Sequence, residues 1–153
     1  MTTAADVMTT TPVTIRLTAR IREAVRLIES LTVRQLPVVN EEGELIGMLS
    51  DRILDAVLVP TPDGRGQDPG ARAVLDSPVS SLMTGHRFAA VDPTTETTRV
   101  VDIMIARHVG AVPVIDRQGS LIGLVSYMDV LRAWPFPAEG AEDPSPDVIP
   151  TLT

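Results

Sequence analysis

Ser126 and Asp129 form the most specific polar pattern in the sequence. They belong to the segment 123–129, Gly-Leu-Val-Ser-Tyr-Met-Asp, in which an apolar run ends and a helix is predicted to begin. A serine hydroxyl at a helix start can donate to a phosphate oxygen among unpaired backbone N–H groups. A carboxylate three residues later can accept hydrogen bonds from hydroxyl or N–H groups. The same spacing also fits a capping box, in which both side chains only satisfy backbone N–H groups.

These two residues lie in the second of two similar halves of the chain. A shift of 76 residues places 35–50 on 111–126, so that Leu-Pro-Val-Val-Asn meets Val-Pro-Val-Ile-Asp. Upstream, Val-Met-Thr at 7–9 meets Leu-Met-Thr at 82–84 once one extra residue is allowed in the second copy. Matches in this order indicate an internal duplication.

The hydrophobic pattern of each copy predicts the order strand, helix, strand, strand, helix. In the first copy the predicted elements are a strand at 13–15, a helix capped by Thr18, a hairpin of strands 36–39 and 45–49, and a helix that begins at Ser50. In the second copy Thr94 or Thr95 caps the first helix, and the last helix runs from Ser126 to about Trp134. Residues 60–70, which are rich in Pro, Gly and Asp, are predicted to form an exposed loop between the copies.

The composition excludes several classes of protein. Hydrophobic residues make up 44% of the chain, few of them aromatic, which favours an α/β or α+β fold with Val-rich strands. A net charge of −7 argues against nucleic acid or an anionic membrane as a partner. The sequence has no cysteine, no apolar run near the roughly 20 residues of a membrane span and no signal-peptide pattern, so we expect a cytoplasmic protein.

The repeated motifs resemble the CBS (cystathionine beta-synthase) domain pair, also called a Bateman module, over residues 5–134. The resemblance is carried by Val-Met-Thr, then apolar-Pro-Val-Val/Ile-Asn/Asp, then Gly-x-x-apolar-Gly-x-x-Ser, in that order in both copies. It implies an α+β fold in which tandem βαββα repeats pack sheet to sheet with pseudo-twofold symmetry, and a homodimer of such pairs. The expected division of the chain is 1–58 for the first repeat, 59–76 for a linker loop, 77–134 for the second repeat and 135–153 for a Pro-rich, disordered tail.

The resemblance also implies a ligand, namely AMP, ADP, ATP or S-adenosylmethionine, bound in a cleft between the repeats. Asp129 would bind its ribose and Ser126 its phosphate. The base pocket would be formed by Phe88, Ala89, Ala90, Gly110, Ala111, Val112 and Pro113, for which core packing is the alternative. Arg34 and Arg52 are the candidate cations for the phosphates. In the first copy Ile53 stands where Asp129 stands in the second, so one good nucleotide site per chain is predicted.

Three functions remain to be weighed. The first is a stand-alone regulatory module that signals nucleotide binding to an unidentified protein, and the second is a structural dimerisation module without a physiological ligand. An enzyme is the third, but the sequence offers no nucleophile and base pair, carboxylate dyad or catalytic cofactor motif. His86 and His108 are lone histidines, so no metal site is predicted.

Overall fold

The computed structural model describes residues 2–57 and 69–134, and it contains two units that follow the predicted order of elements, except that the second unit has an isolated bridge at Val91 in place of its first strand. The α+β class of the fold is confirmed. The elements of the first half are α1 (Ala4–Val7), β1 (Ile15–Arg16), α2 (Ile21–Glu29), β2 (Gln35–Val39), β3 (Leu45–Ser50) and α3 (Asp51–Val57). Those of the second half are α4 (Pro69–Asp76), a 3-10 helix (Val79–Leu82), α5 (Thr97–Arg107), β4 (Ala111–Ile115), β5 (Leu121–Ser126) and α6 (Tyr127–Ala133).

The two sheets have the same pairing. In the first unit β1 pairs in parallel with β2, which pairs antiparallel with β3. In the second unit β4 and β5 form the same hairpin, and Val91 makes a single parallel bridge to Val114 where the first unit has β1. Both hairpins carry an irregularity at the same point, and both turns use a glycine with positive φ, Gly43 at 81° and Gly119 at 83°.

Each unit has its own apolar core between its sheet and its helices. In the first unit Ile21, Ala24 and Ile28 form a helical stripe that packs on strand residues of β2 and β3. In the second unit Val100 and Met104 of α5 pack in the same way on β4 and β5. The two cores are completed, however, by residues from the opposite unit.

The N-terminal segment of each copy lies on the other copy. Ala4 is fully buried in the second core, and Thr9 pairs with Leu124 of β5 through backbone bonds of 2.9 and 3.0 Å. Conversely, Val79 of the 3-10 helix is fully buried in the first core, and its N–H donates to Ala19 O at 2.7 Å. The pseudo-twofold relation between the units is therefore built on an exchange of segments.

A methionine of each exchanged segment packs on a strand glycine of the other copy. A Cβ at Gly123 would overlap Met8 Sδ and lie 2.8 Å from its Cγ and 3.1 Å from its Cβ. A Cβ at Gly47 would overlap Met83 Sδ. The methionine of the Val/Leu-Met-Thr motif and the glycine of the strand motif are therefore two halves of one contact.

The hairpin turns of the two copies also bond reciprocally. Leu45 N–H donates to Gly119 O at 3.0 Å, and Leu121 N–H donates to Gly43 O at 3.1 Å. The pseudo-twofold axis passes between these two bonds, which join the tips of the two sheets.

The predicted helix caps in both copies are wrong for one physical reason. α2 begins at Ile21 rather than after Thr18, and its first N–H donates to Ser77 O at 2.9 Å. α5 begins at Thr97 rather than after Thr94 or Thr95, and its first N–H donates to Thr2 O at 2.9 Å. A backbone carbonyl of the exchanged segment therefore takes the place of a capping side chain.

The helices that follow the two hairpins begin where the sequence predicts. Ser50 Oγ accepts the N–H of Ile53 at 3.3 Å, as expected of a capping serine. Ser126 precedes α6, which ends at Ala133, one residue before the predicted end.

The linker and first strand differ from prediction. Residues 69–76, predicted to be part of the linker loop, form helix α4, whose Asp76 accepts a hydrogen bond from Arg22 at 2.9 Å. The first strand is β1 at 15–16 rather than 13–15. The remainder of the predicted linker, at 59–68, and the predicted tail, at 135–153, lie outside the described residues.

The glycine and methionine contact makes a direct prediction about stability. Gly123→Ala should lower the free energy of unfolding by about 1–3 kcal/mol, because the new methyl overlaps Met8 from its Cβ to its sulfur. Urea unfolding followed by circular dichroism measures the change. Gly110→Ala is the control, since its nearest neighbour would be Tyr127 Cδ1 at 3.4 Å, and it should change stability by less than about 1 kcal/mol. Equal losses in both variants would contradict the packing role of Gly123.

Candidate functional site: two clefts between the repeats

Two clefts lie where the units meet, and each takes residues from both copies. The Asp129 cleft has a volume of about 310 Å³. It is lined by Thr9, Thr11, Pro12, Val13, Leu31, Thr32, Val33, Gln35, Leu124, Ser126, Met128, Asp129 and Arg132. The arginine cleft has a volume of about 340 Å³. It is lined by Gln35, Met48, Ser50, Asp51, Arg52, Ile53, His86, Arg87, Phe88, Ala89, Arg107, His108, Val109, Ala111 and Pro113.

The exchange of N-terminal segments decides which residues share a cleft. The chain that follows Thr9 runs across β5 of the second copy, so Pro12 and Val13 line the same cleft as Ser126 and Asp129. The chain that follows Met83 runs across β3 of the first copy in the same manner. Each cleft therefore joins the start of one copy to the last helix of the other.

This arrangement corrects the predicted grouping of the base pocket with Asp129. Four of the predicted base residues, Phe88, Ala89, Ala111 and Pro113, line the arginine cleft instead. The other three line neither cleft. Val112 is fully buried in the second core, Ala90 is half-buried, and Gly110 lies next to the Tyr127 ring with its carbonyl bonded to Tyr127 N–H at 3.0 Å. A ligand-binding role for any of these seven residues remains a prediction.

The residues that face Asp129 were missed by sequence reasoning, although a signal for them was present. Shifting Phe88 and Ala89 by 76 residues gives Pro12 and Val13, both of which line the Asp129 cleft. The repeat therefore identified the correct positions in each copy. The information that was lacking was the crossing of one copy over the other.

Ser126 and Asp129 form a complete capping box. Ser126 N–H and its hydroxyl donate to Asp129 Oδ2 at 2.8 and 2.9 Å, and Asp129 N–H donates to Ser126 Oγ at 3.2 Å. Among the described residues nothing donates to Oδ1, and Asp129 lines the cleft. One carboxylate oxygen thus caps the helix while the other is free to accept from a ligand. The Ser126 hydroxyl, in contrast, already donates to Asp129, so donation to a phosphate would replace an existing bond.

The predicted cations do not lie beside Asp129. Arg34 is exposed and lines neither cleft, and Arg52 lines the arginine cleft. The cationic side chain that lines the Asp129 cleft is Arg132, at the end of α6. Three exposed hydroxyl side chains, Thr9, Thr11 and Thr32, supply further polar groups there.

The arginine cleft lacks the carboxylate of its counterpart. Ile53 occupies the position equivalent to Asp129 and packs against the first core. Asp51 accepts the N–H of its neighbour Arg52 at 2.8 Å, a bond within the turn of the chain. Guanidinium groups therefore dominate the charge of this cleft.

His86 holds the wall of the arginine cleft together. Its Nε2 accepts the N–H of Met48 at 3.1 Å, and its ring stacks on Phe88 with centroids 6.2 Å apart. The equivalent N–H in the other cleft, that of Leu124, donates to Thr9 O at 3.0 Å. The second copy has one extra residue in this loop, where Gly85 has a φ of 71°. In the arginine cleft the acceptor for the strand N–H is therefore an imidazole instead of a backbone carbonyl. Partial burial lowers the pKa of His86 below its ordinary value.

In the described ranges, no cluster of three or more His, Cys, Asp or Glu side chains is arranged to hold a metal ion. Within the same ranges no helix combines the length and apolar character needed to cross a membrane.

Comparison with known proteins identifies the same duplication. The family model described as the CBS domain matches twice, at residues 4–59 and 79–135. The CBS domain-containing protein YhcV of Bacillus subtilis is 32% identical over 131 residues, which cover 85% of this chain and 84% of YhcV. Inosine-5'-monophosphate dehydrogenase of Aquifex aeolicus is 25% identical over 126 residues, and the match covers 82% of this chain but only 23% of that enzyme.

Solved structures share the fold. CBSX2 in complex with AMP matches with a TM-score of 0.71 and 25% identity, covering 87% of this chain and 96% of CBSX2. The CBS domain pair of protein MJ0100 in complex with 5'-methylthioadenosine and S-adenosyl-L-methionine matches with a TM-score of 0.66 and 21% identity, covering 86% of this chain and 98% of that pair.

The hydrogen bond to His86 makes stability dependent on pH. Nε2 accepts an N–H only when it is unprotonated, and the pKa of His86 is lower in the folded chain than its ordinary value of about 6.5. The unfolded chain therefore binds a proton more readily, so stability should fall as pH drops from about 6.5 through the lowered pKa. His86→Gln keeps an acceptor that does not titrate and should lose less stability over this range. Urea unfolding of both proteins from pH 8 to pH 5 tests this, and parallel pH profiles would refute it.

Proposed function

Because the chain belongs to the CBS domain family, we propose that it is a regulatory module that binds an adenosine-containing ligand in the Asp129 cleft. The observation that carries this proposal is the carboxylate of Asp129, which lines the cleft. Its Oδ2 is fixed by the capping box at the start of α6, and its Oδ1 is free to accept hydrogen bonds from a ligand. A fixed carboxylate oxygen is a strong acceptor for ribose hydroxyls.

The rest of the cleft suits the other parts of such a ligand. Pro12, Val13 and Val33 offer apolar surface for an adenine ring. Thr9, Thr11 and Arg132 offer donors for a phosphate or for another charged group. AMP, ADP, ATP and S-adenosylmethionine all share the adenosine that this arrangement reads, and the ligands of CBSX2 and MJ0100 belong to the same class.

Regulation follows from the composition of the cleft. Since one wall of the cleft comes from each copy, a bound ligand changes the relative position of the two units. A partner protein that contacts both units then responds to this change. We place this function in the cytoplasm, in keeping with the cysteine-free sequence. The proposed role is binding, with no catalytic step.

One observation favours a second candidate, a structural dimerisation module without a physiological ligand. Ser126 and Oδ2 of Asp129 are fully used by the capping box, so the motif has a structural purpose without any ligand. The ligand experiment below separates the two functions.

A homodimer is part of both candidates. Four large apolar side chains of the second unit are exposed, Ile105 by 68%, Trp134 by 55%, Leu131 by 53% and Tyr127 by 44%. Tyr127 and Leu131 are four residues apart on α6 and so share a face, and α6 packs beside α5, which carries Ile105. The exposed residues of α2 in the first unit, by contrast, are polar. The apolar surface of α5 and α6 is therefore the proposed contact between two copies of the chain.

Asp129→Asn tests the ligand site while retaining a side chain that can cap α6. Wild-type protein should melt at a higher temperature with at least one of AMP, ADP, ATP and S-adenosylmethionine. Loss of a charged acceptor should weaken binding of that ligand about tenfold to hundredfold by calorimetry. Asp55→Asn is the matched control, because Asp55 is exposed on α3 and lines neither cleft.

Two results would decide against the ligand site. No thermal shift with any of the four compounds would favour the structural candidate. A shift that Asp129→Asn leaves as large as in wild-type protein would move the site away from Asp129.

Leu131→Glu tests the dimer. The wild-type protein should sediment at about twice the 16.4 kDa of one chain, and the variant near 16.4 kDa, because a buried carboxylate at the contact has no partner. Arg26→Glu, at an exposed polar position of α2, should leave the mass unchanged. A monomeric wild-type protein, or a dimeric Leu131→Glu, would overturn the proposed contact.

A further inference from the structure

We infer that the arginine cleft is a second binding site, one for a multiply charged phosphoanion that is held without recognition of a ribose. Arg52, Arg87 and Arg107 line a single cavity of about 340 Å³. They come from three separate parts of the chain, α3, the segment after the 3-10 helix and the end of α5. None of the three forms an ion pair with another described residue.

The charge of the cleft is unusual for this chain. Three guanidinium groups and one carboxylate, that of Asp51, line the cleft of a protein whose net charge is −7. Guanidinium groups pair with phosphate through two parallel hydrogen bonds, and several of them around one cavity attract a multiply charged anion. A phosphoanion would supply the partner that these arginines lack among the described residues.

Comparison of the two clefts within the molecule shows that the arginines are not a feature of the fold. The positions equivalent to Arg87, Arg107 and Arg52 in the Asp129 cleft are Thr11, Leu31 and Met128, and all three line that cleft. The same three lining positions are thus arginine in one cleft and uncharged in the other. The fold requires a residue at each position but does not require a cation.

The arginine cleft is also unsuited to a ribose. Ile53 stands at the position of Asp129 and has no acceptor for a diol, and Ser50 Oγ is bonded to Ile53 N–H. His86 Nε2 is bonded to Met48 N–H, so that nitrogen is not a free acceptor either. The groups that remain for a ligand are chiefly cationic donors.

The test uses the full chain with inorganic tripolyphosphate as the probe. Calorimetry at low salt should show binding to wild-type protein, and added salt should weaken it. The double variant R87Q/R107Q should bind tripolyphosphate at least tenfold more weakly, because hydrogen bonds to charged groups are lost. R99Q/R117Q is the charge-matched control, since both arginines are exposed and line neither cleft, and it should bind within about twofold of wild-type protein.

Further arms separate the sources of the phosphoanion. If the tail of a nucleotide is the source, R87Q/R107Q should weaken ATP binding at this site while adenosine binding is unchanged. If a free phosphoanion is the source, tripolyphosphate should bind as tightly in the presence of saturating adenosine as in its absence. Should the double variant melt far below wild-type protein, the single variant R52Q at an exposed position supplies the same readout.

The inference is overturned if wild-type protein shows no tripolyphosphate binding at about 1 mM probe and low salt, or if the control loses as much affinity as R87Q/R107Q. These outcomes are independent of the Asp129 cleft. Loss of adenosine binding in Asp129→Asn with tripolyphosphate binding intact would support both sites, and failure at one cleft leaves the other measurable.

Discussion

The packing of a methionine on a strand glycine, made once in each direction between the copies, is the contact on which the structure depends. Met8 occupies the space that a side chain at Gly123 would need, and Met83 does the same at Gly47. With these segments in place, a backbone carbonyl from each one takes the first N–H of the helix opposite. The same segments bury Ala4 and Val79 in the cores of the other copy. Neither unit has a complete core or complete helix starts by itself, so each unit depends on the other for its structure.

The exchange also sets where function can lie. Because each segment continues into the wall of a cleft, every cleft contains parts of both copies, and a few substitutions suffice to make the two clefts different. Asp129 can accept hydrogen bonds from the hydroxyls of a diol, whereas Ile53 at the equivalent position of the other cleft cannot. The strand N–H is bonded to the carbonyl of Thr9 in one cleft and to the imidazole of His86 in the other, so the wall of the second cleft alone contains a titratable acceptor at this position. The duplicated fold thus creates two clefts related by pseudo-twofold symmetry, and different residues at equivalent lining positions make the two clefts chemically different.

The sequence predicted local structure well and contacts between the copies poorly. The order of elements and the hairpins follow from hydrophobic periodicity and turn glycines, which are properties of short segments. The Ser126 and Asp129 capping box was also readable, since it needs only residues three apart. The caps at Thr18, Thr94 and Thr95 were wrong because the helix starts are satisfied by residues about 55 to 95 positions away. The grouping of Phe88 with Asp129 failed for the same reason, as it requires knowing which segment crosses which sheet.

The capping box joins the two proposed activities of the second copy through one helix. Oδ2 of Asp129 secures the start of α6, and no described residue donates to Oδ1, so a ligand that donates a hydrogen bond to Oδ1 need not break the cap. In the proposed complex, the added hydrogen bond would hold the same carboxylate in place and so stabilise the start of α6. Tyr127 and Leu131, exposed on that seven-residue helix, belong to the proposed contact between chains. Because a helix of two turns moves as a unit, α6 connects the proposed ligand site at Asp129 directly to the proposed contact between chains.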